Sequence, residues 1–257
     1  MVPSALAHVG HLAAHGQRLA IFLDYDGTLT SIVARPELAE LSDSTRQVLR
    51  ELASYFPVAI LSGRDLNDLR ERVKIDNIVY AGSHGFDIAG PGGMNKQVAP
   101  EFVPVLDAAE KELQKKLAGI SSALMERKRF SIAVHYRNVK ESDIPKIERA
   151  VNEVATRHRT LRKIDNKKVY ELQPDVDWNK GKAVIWLLER LDRPEAFSIY
   201  LGDDLTDEDA FSAINGRGAG IVVSEQPRST GARFALRNPV EVERFLRELA
   251  QSFPLKS

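Results

Sequence analysis

With 257 residues, 43% hydrophobic and 28% charged, the chain has the make-up of a globular protein of one large domain or two modest ones, and is neither disordered nor collagen-like. Its 36 basic residues are matched by 36 acidic ones, so no net field draws it to nucleic acid or to an anionic membrane, and an anionic ligand must be held by local donors. The lack of any cysteine excludes disulfides, thiolate nucleophiles and Cys-based zinc or iron–sulfur sites, and fits most easily with the reducing cytoplasm.

No apolar run approaches the roughly 18 residues of a membrane span, and the N-terminal stretch lacks the basic start and unbroken apolar core of a signal peptide. Residues 1–16 are rich in Ala and His. His8, His11 and His15 share one helical face, which is either a transition-metal site or the surface of a short helix. From there the chain alternates strand and helix patterns. Residues 18–24 form an apolar run ending at an acid, as a buried parallel strand does. A helical period over 44–55, a strand over 58–62 and a helix capped by Asp65 and running to about Val73 come next. A third strand over 78–81 precedes a hairpin over 85–98 around a Gly-Pro-Gly-Gly turn.

From about Pro100 the pattern changes. A helix over 101–117 precedes strands over 123–126 and 130–136 around the charged turn Glu126 to Arg129. A helix over 143–157 precedes strands over 160–164 and 169–172 around the turn Asp165 to Lys168. This repeated helix–strand–strand unit predicts an inserted α+β module with one four-stranded antiparallel sheet. After Pro174 the first rhythm returns: helix 182–191, strand 196–202, helix 207–214, strand 219–223, a short strand near 233–236 and an amphipathic helix over 240–253. The expected fold is therefore α/β, a Rossmann-like parallel-sheet core interrupted by a smaller α+β cap. Residues 1–99 and 174–257 would form the core and 100–173 the cap.

Four polar clusters fall at the carboxyl ends of the core strands, where ligands of such sheets bind. They are Asp24-Tyr25-Asp26-Gly27-Thr28, Ser62-Gly63-Arg64, Lys180, and Gly202-Asp203-Asp204-Leu205-Thr206-Asp207. Each alone reads equally as a turn, a helix cap or a solvated helix start. Together they would gather several carboxylates, a hydroxyl and a lysine. Carboxylates at close range repel unless a cation lies between them, and oxygen-only ligation suits Mg²⁺. A carboxylate so placed can attack phosphorus, and an acid two residues later can protonate the leaving alkoxide and then activate water. No GxxxxGK[ST] occurs, and the glycines of 216–220 lack dinucleotide-binding spacing, which argues against an NTPase or a dinucleotide enzyme.

The segments DYDGTLT, LSGR, NKGKA and GDDLTDEDAF resemble the four motifs of the haloacid dehalogenase superfamily, and the second acid, Asp26, resembles its phosphatase branch. AGSHGF, Glu126-Arg127-Lys128, VHYRN and YELQP are similar to segments of the trehalose-6-phosphate phosphatase family, with the likeness covering residues 19–250. That resemblance implies hydrolysis of trehalose 6-phosphate in a site between core and cap, with Mg²⁺. Asp24 would be nucleophile and metal ligand, Asp26 the general acid/base and a carbonyl ligand, and Asp203 the third protein ligand. Asp204 and Asp207 would act in the outer shell, while Ser62 and Lys180 would hold the phosphoryl group. Asn179 stands where an Asp is common before that lysine. In the cap, Glu126, Lys128, His135, Arg137 and Glu171 would contact the sugar. Alternation puts Glu126 with Lys128 on one face and His135 with Arg137 on one face, the alternative being a solvated, salt-bridged sheet. His84 is either a crevice residue or a turn histidine, and Arg64 either leans on phosphate or pairs with an acid. Other activities the pattern allows are a phosphatase for sucrose phosphate or mannosyl-phosphoglycerate, a phosphohexomutase, or a non-catalytic sugar-phosphate-binding module. Association with a trehalose-6-phosphate synthase is a further expectation.

Overall fold

The computed structural model describes residues 2–33, 35–166 and 168–253. The chain separates into two compact units, one built from 1–96 and 178–257 and the other from 97–177.

The first unit is a three-layer α/β/α structure. Its strands are β1 (Leu19–Leu23), β2 (Val58–Leu61), β3 (Val79–Gly82), β4 (Asp87–Gly90), β5 (Met94–Gln97), and, after the second unit, β10 (Phe197–Gly202), β11 (Gly218–Val223) and β12 (Phe234–Leu236). They lie in the order β12-β11-β10-β1-β2-β3-β4-β5. Strands β12 to β3 pair in parallel, and β4 joins antiparallel to β3. Alternation sorts β1 cleanly. Leu19, Ile21 and Leu23 enter the apolar layer shared with α1 (Val9–Ala13), α2 (Asp43–Tyr55), α3 (Leu66–Val73) and α8 (Pro239–Gln251). Ala20 and Phe22 enter the opposite layer, shared with α6 (Lys180–Arg190) and α7 (Glu208–Ala213). A strand buried on both faces is an unbroken apolar run, which is why LAIFL was readable as one. The strand order reverses between β1 and β10, and a crevice forms beyond their carboxyl ends at such a switch point.

The second unit packs α4 (Val103–Leu117) and α5 (Ile144–Arg157) on one face of an antiparallel sheet of β6 (Leu124–Lys128), β7 (Ser131–His135), β9 (Val169–Pro174) and β8 (Leu161–Asn166). Its core holds Leu106, Leu113, Ile132, Val134, Ile147, Val151 and Leu172.

Both charged turns are tighter than the sequence pattern predicts. Lys128 pairs with Ser131, which leaves only Arg129 and Phe130 in the first loop. Phe130 is fully buried and pins that turn, while Glu126 and Lys128 continue the strand because their polar heads bond across the sheet. Asn166 pairs with Val169 in the same way. Arg137 lies in an exposed turn beyond the end of β7 rather than on the strand beside His135, so the expected shared face does not form. The strand stops because Tyr136 and Val139 close a turn, the Val139 N–H donating to the Tyr136 carbonyl. Two of the N-terminal histidines, His8 and His15, pack on aromatic rings. A 3₁₀ turn over Ala5–His8 precedes the five-residue α1, the His8 ring packs on Phe234 and the His15 ring stacks on Phe197 at 3.5 Å. Among the described residues, no helix is long and apolar enough to cross a membrane.

Candidate functional site

Asp24 follows the last residue of β1, and its N–H donates to the Leu201 carbonyl of β10, so the ladder holds it at the strand end. The chain then reverses over Asp26 to Thr30, closed by bonds from the Gly27 N–H to the Thr30 carbonyl and from the Thr30 N–H to the Tyr25 carbonyl. Gly27 sits at φ +86°, and a Cβ there would lie 2.4 Å from the Asp203 carboxylate carbon. Only glycine lets the Asp203 carboxylate come this close. The Thr28 hydroxyl is buried with no hydrogen-bond partner among the described residues.

Lys180 opens α6. Asn179 caps the helix by accepting from the Lys182 N–H at 2.9 Å, the acceptor role an Asp would fill. Gly181 lets the first turn of α6 lie against α7, since a Cβ there would be 2.4 Å from the Asp209 carbonyl. This close approach carries the Lys180 ammonium inward, where Nζ donates to Asp24 Oδ1 at 2.7 Å and to Asp207 Oδ1 at 2.6 Å. All three side chains are buried. Tyr200 of β10 also donates its hydroxyl to Asp207 Oδ1, at 2.7 Å, and Asp207 Oδ2 accepts from the Asp204 N–H at 2.9 Å. Asp207 thus accepts three hydrogen bonds and aims Lys180, and Tyr200 carries no sequence signal for its part in this network. Asp204 is half-buried and caps the following turn through the Leu205 N–H.

Carboxylate oxygens of Asp24, Asp203 and Asp207 lie within 4.8 Å of one another. Burial, with Asp207 and Asp203 adding to it, pushes the Asp24 carboxyl well above its ordinary range despite the opposing charge of Lys180. Burial opposes the Lys180 charge, but Asp207 and Asp24 outweigh it and hold its proton more firmly than usual. Three buried carboxylates against one ammonium are short of positive charge, and the donors are all oxygen. The residues therefore fit a hard divalent cation held by Asp24 and Asp203.

Ser62 follows β2, with its N–H on the Ala81 carbonyl and its hydroxyl accepting from the Arg64 N–H at 3.2 Å. Asp65 caps α3 just beyond. His84 stands in a left-handed turn (Ser83 φ 46°, His84 φ 57°, Gly85 φ 90°) clasped to this loop by the His84 N–H on the Ser62 carbonyl and the Ser83 N–H on the Arg64 carbonyl. Arg64 pairs with two acids in this structure. Its Nε and Nη2 donate to the two Asp26 oxygens at 2.7 Å each, Nη1 donates to Asp68 at 2.8 Å and Nη2 also reaches the Pro36 carbonyl. The Asp26 side chain is 40% exposed, against 7% for Arg64, so the acid retains open space beside its clamp.

In the second unit, the polar face of the sheet brings together Glu126, Lys128, His135 and Glu171. His135 Nε2 lies 2.9 Å from Glu126 Oε2, and Lys128 Nζ and the Ser131 hydroxyl donate to Glu171 Oε1 at 3.2 and 2.6 Å. Asn166, which the sequence reading passed over, donates to the other Glu171 oxygen at 3.2 Å. Burial works to raise Glu126, but His135 and Lys128 outweigh it and hold the carboxyl below its ordinary range. Glu171 and Lys128 are buried and paired with each other, while Glu126 and His135 are more exposed, so the face carries the salt bridges of the alternative reading but is not fully solvated.

The profile of the trehalose-phosphatase family matches residues 22–239. The chain is 41% identical over 277 aligned positions to the probable trehalose-phosphate phosphatase 2 of Oryza sativa subsp. japonica, covering 96% of this chain and 72% of the relative. It is 46% identical to part of an uncharacterized glycosyl hydrolase of Mycobacterium tuberculosis, where 91% of this chain spans only 18% of the longer protein. The fold superposes on the C-terminal domain of the Candida albicans trehalose-6-phosphate phosphatase with a TM-score of 0.86 at 24% identity, covering 99% of this chain and 100% of that one.

Proposed function

Because the chain belongs to the trehalose-phosphatase family, within the haloacid dehalogenase superfamily, we propose that it hydrolyses trehalose 6-phosphate to trehalose and phosphate through a phosphoryl group carried on Asp24. The observation that carries this reading is the buried array in which Lys180 bridges Asp24 and Asp207 while Asp203 stands within reach of both. Binding alone needs no such arrangement, whereas a nucleophile does.

Lys180 occupies Asp24 Oδ1, which leaves Oδ2 to attack phosphorus. The new bond joins Oδ2 to phosphorus as the bond from phosphorus to the sugar oxygen breaks. Asp26, having taken up a proton from solvent on an oxygen released by Arg64, gives that proton to the leaving oxygen, then takes one from the water that attacks phosphorus and frees Asp24. To do so, Asp26 must exchange one of its two bonds with Arg64 for the substrate oxygen. Ser62, at the mouth of α3, and the Lys180 ammonium hold the phosphoryl oxygens as charge spreads over them. The family implies a divalent metal. We take it to be Mg²⁺, held by Asp24, Asp203 and the Asp26 carbonyl, and it supplies positive charge to the phosphoryl oxygens when bound. The hydrogen-bonded face of Glu126, Lys128, His135 and Glu171 suits a ligand rich in hydroxyls and poor in apolar surface, and we assign sugar selection to it. The cytoplasm is the compartment this reading assigns, on the chain's lack of cysteine.

The test is phosphate release from trehalose 6-phosphate, sucrose phosphate, mannosyl-phosphoglycerate and hexose phosphates, with Mg²⁺ and with EDTA. The reading expects trehalose 6-phosphate to be preferred and EDTA to abolish release. Preference for another sugar phosphate, or interconversion without free phosphate, would overturn the assignment.

A further inference from the structure

The loop that carries Asp203 and Asp204 is gripped by an arginine 25 residues further along the chain. Arg228 Nη1 donates to the Asp203 carbonyl at 2.6 Å, and Nη2 donates to the Asp204 carbonyl at 3.2 Å and to Glu208 Oε1 at 2.6 Å. The other Glu208 oxygen accepts the Gly231 N–H at 2.8 Å, which ties the two segments together a second time. The Arg228 Nε is buried and makes no hydrogen bond. Among the described residues, every hydrogen bond of this side chain therefore serves one corner, two consecutive carbonyls and the first residue of α7. A guanidinium fork spans two acceptors at fixed spacing, as an ammonium cannot.

We propose that Arg228 is a positioning residue that fixes the Asp203 carboxylate for a divalent cation, so that metal affinity depends on a group that touches neither metal nor substrate. The proposal rests on the reading of Asp203 as a metal ligand. One feature of the structure and one property of metal sites make that position sensitive. The Asp203 carboxylate lies over the Gly27 backbone, with no space for a Cβ between them. Ligand distances for a bound ion tolerate deviations of only about 0.2 Å. With both carbonyls held, rotation of the peptide after Asp203 is restrained, which helps keep the side chain directed toward Asp24. Without the fork, the loop retains the Asp204 and Asp207 bonds but not the grip on its outer carbonyls. Partners of this outer kind commonly change metal affinity by about 10–100-fold.

The test uses the whole protein with Arg228→Lys and Arg228→Ala, and the probe is Mg²⁺ itself. Binding is read by calorimetry, phosphate release from trehalose 6-phosphate across a Mg²⁺ titration, and melting without metal. Both variants are expected to bind Mg²⁺ about 10–100-fold more weakly, to regain most of the maximal rate at saturating Mg²⁺, and to melt close to the wild type when metal-free. Should the alanine variant not fold, the lysine variant, which keeps length and charge, carries the test alone. Wild-type Mg²⁺ affinity in the lysine variant would overturn the proposal, as would a rate loss that excess Mg²⁺ does not repair. A wild-type protein whose Mg²⁺ binding depends on Arg228 but which releases no phosphate from sugar phosphates would refute the proposed activity and leave this inference standing.

Discussion

Replacing Gly27 by alanine tests the closeness of the reversing turn to the acidic cluster. The added Cβ would lie 2.4 Å from the Asp203 carboxylate carbon and from one of its oxygens, whereas ordinary contact begins near 3.4 Å. The carboxylate, or the turn beneath it, must retreat by about 1 Å, several times the tolerance of a metal–ligand distance. The residue also sits at φ +86°, where a side chain costs about 1–2 kcal/mol. Misplacement on this scale costs about 10²-fold in rate, or ~2.7 kcal/mol of transition-state stabilisation. The assay is kcat/KM for trehalose 6-phosphate across a Mg²⁺ titration, with metal binding measured directly. Gly27→Ala is expected to lose about 10²-fold and to require more Mg²⁺. Near-normal turnover at an unchanged Mg²⁺ requirement would refute the reasoning.

Other consequences follow from the same geometry. Asp24→Asn should lower turnover by roughly 10³-fold or more. Burial also makes the Asp24 carboxyl hold its proton further into the pH range than an ordinary carboxyl does. The same proton must leave Asp24 for a cation to bind, so Mg²⁺ affinity should fall with acidification already above the ordinary carboxylate range, checked by calorimetry at several pH values. Tyr200→Phe removes one of the two donors to Asp207 Oδ1 without changing shape. It should reduce kcat by about tenfold with little change in KM, on a loss of ~1–1.5 kcal/mol of orientation, and an unaltered kcat would dismiss Tyr200 from the network. Glu171→Gln should damage turnover of trehalose 6-phosphate far more than that of a small aryl phosphate, and equal losses on both would count against sugar selection by that face.

The strands that position the site were legible because each is an apolar run ending at its polar cluster, as LAIFL ends at Asp24. The caps were legible for a similar local reason, Asp65 and Asn179 each standing before a helical period. What lay hidden depends on approach through space. The pattern does not show that Arg64 pairs with Asp26, 38 residues away. Alternation puts Arg137 on one face with His135 because it does not show where a strand ends, and here the turn closed by Val139 intervenes. The placing of the charged turns was misread because Glu126 and Lys128 look like loop residues until their partners on the neighbouring strands are known. Tyr200 and Arg228 gave no local signal, since an apolar strand can carry a tyrosine and a loop an arginine without either marking a site.

The most direct test of the central claim is to quench the enzyme during turnover of trehalose 6-phosphate, reduce it with borohydride and locate the modified residue by mass spectrometry of its peptides. An acyl phosphate on Asp24 would be reduced to homoserine at that position, only when substrate is present. Homoserine at Asp26 instead, or an unmodified chain in an enzyme that is releasing phosphate, would contradict the account.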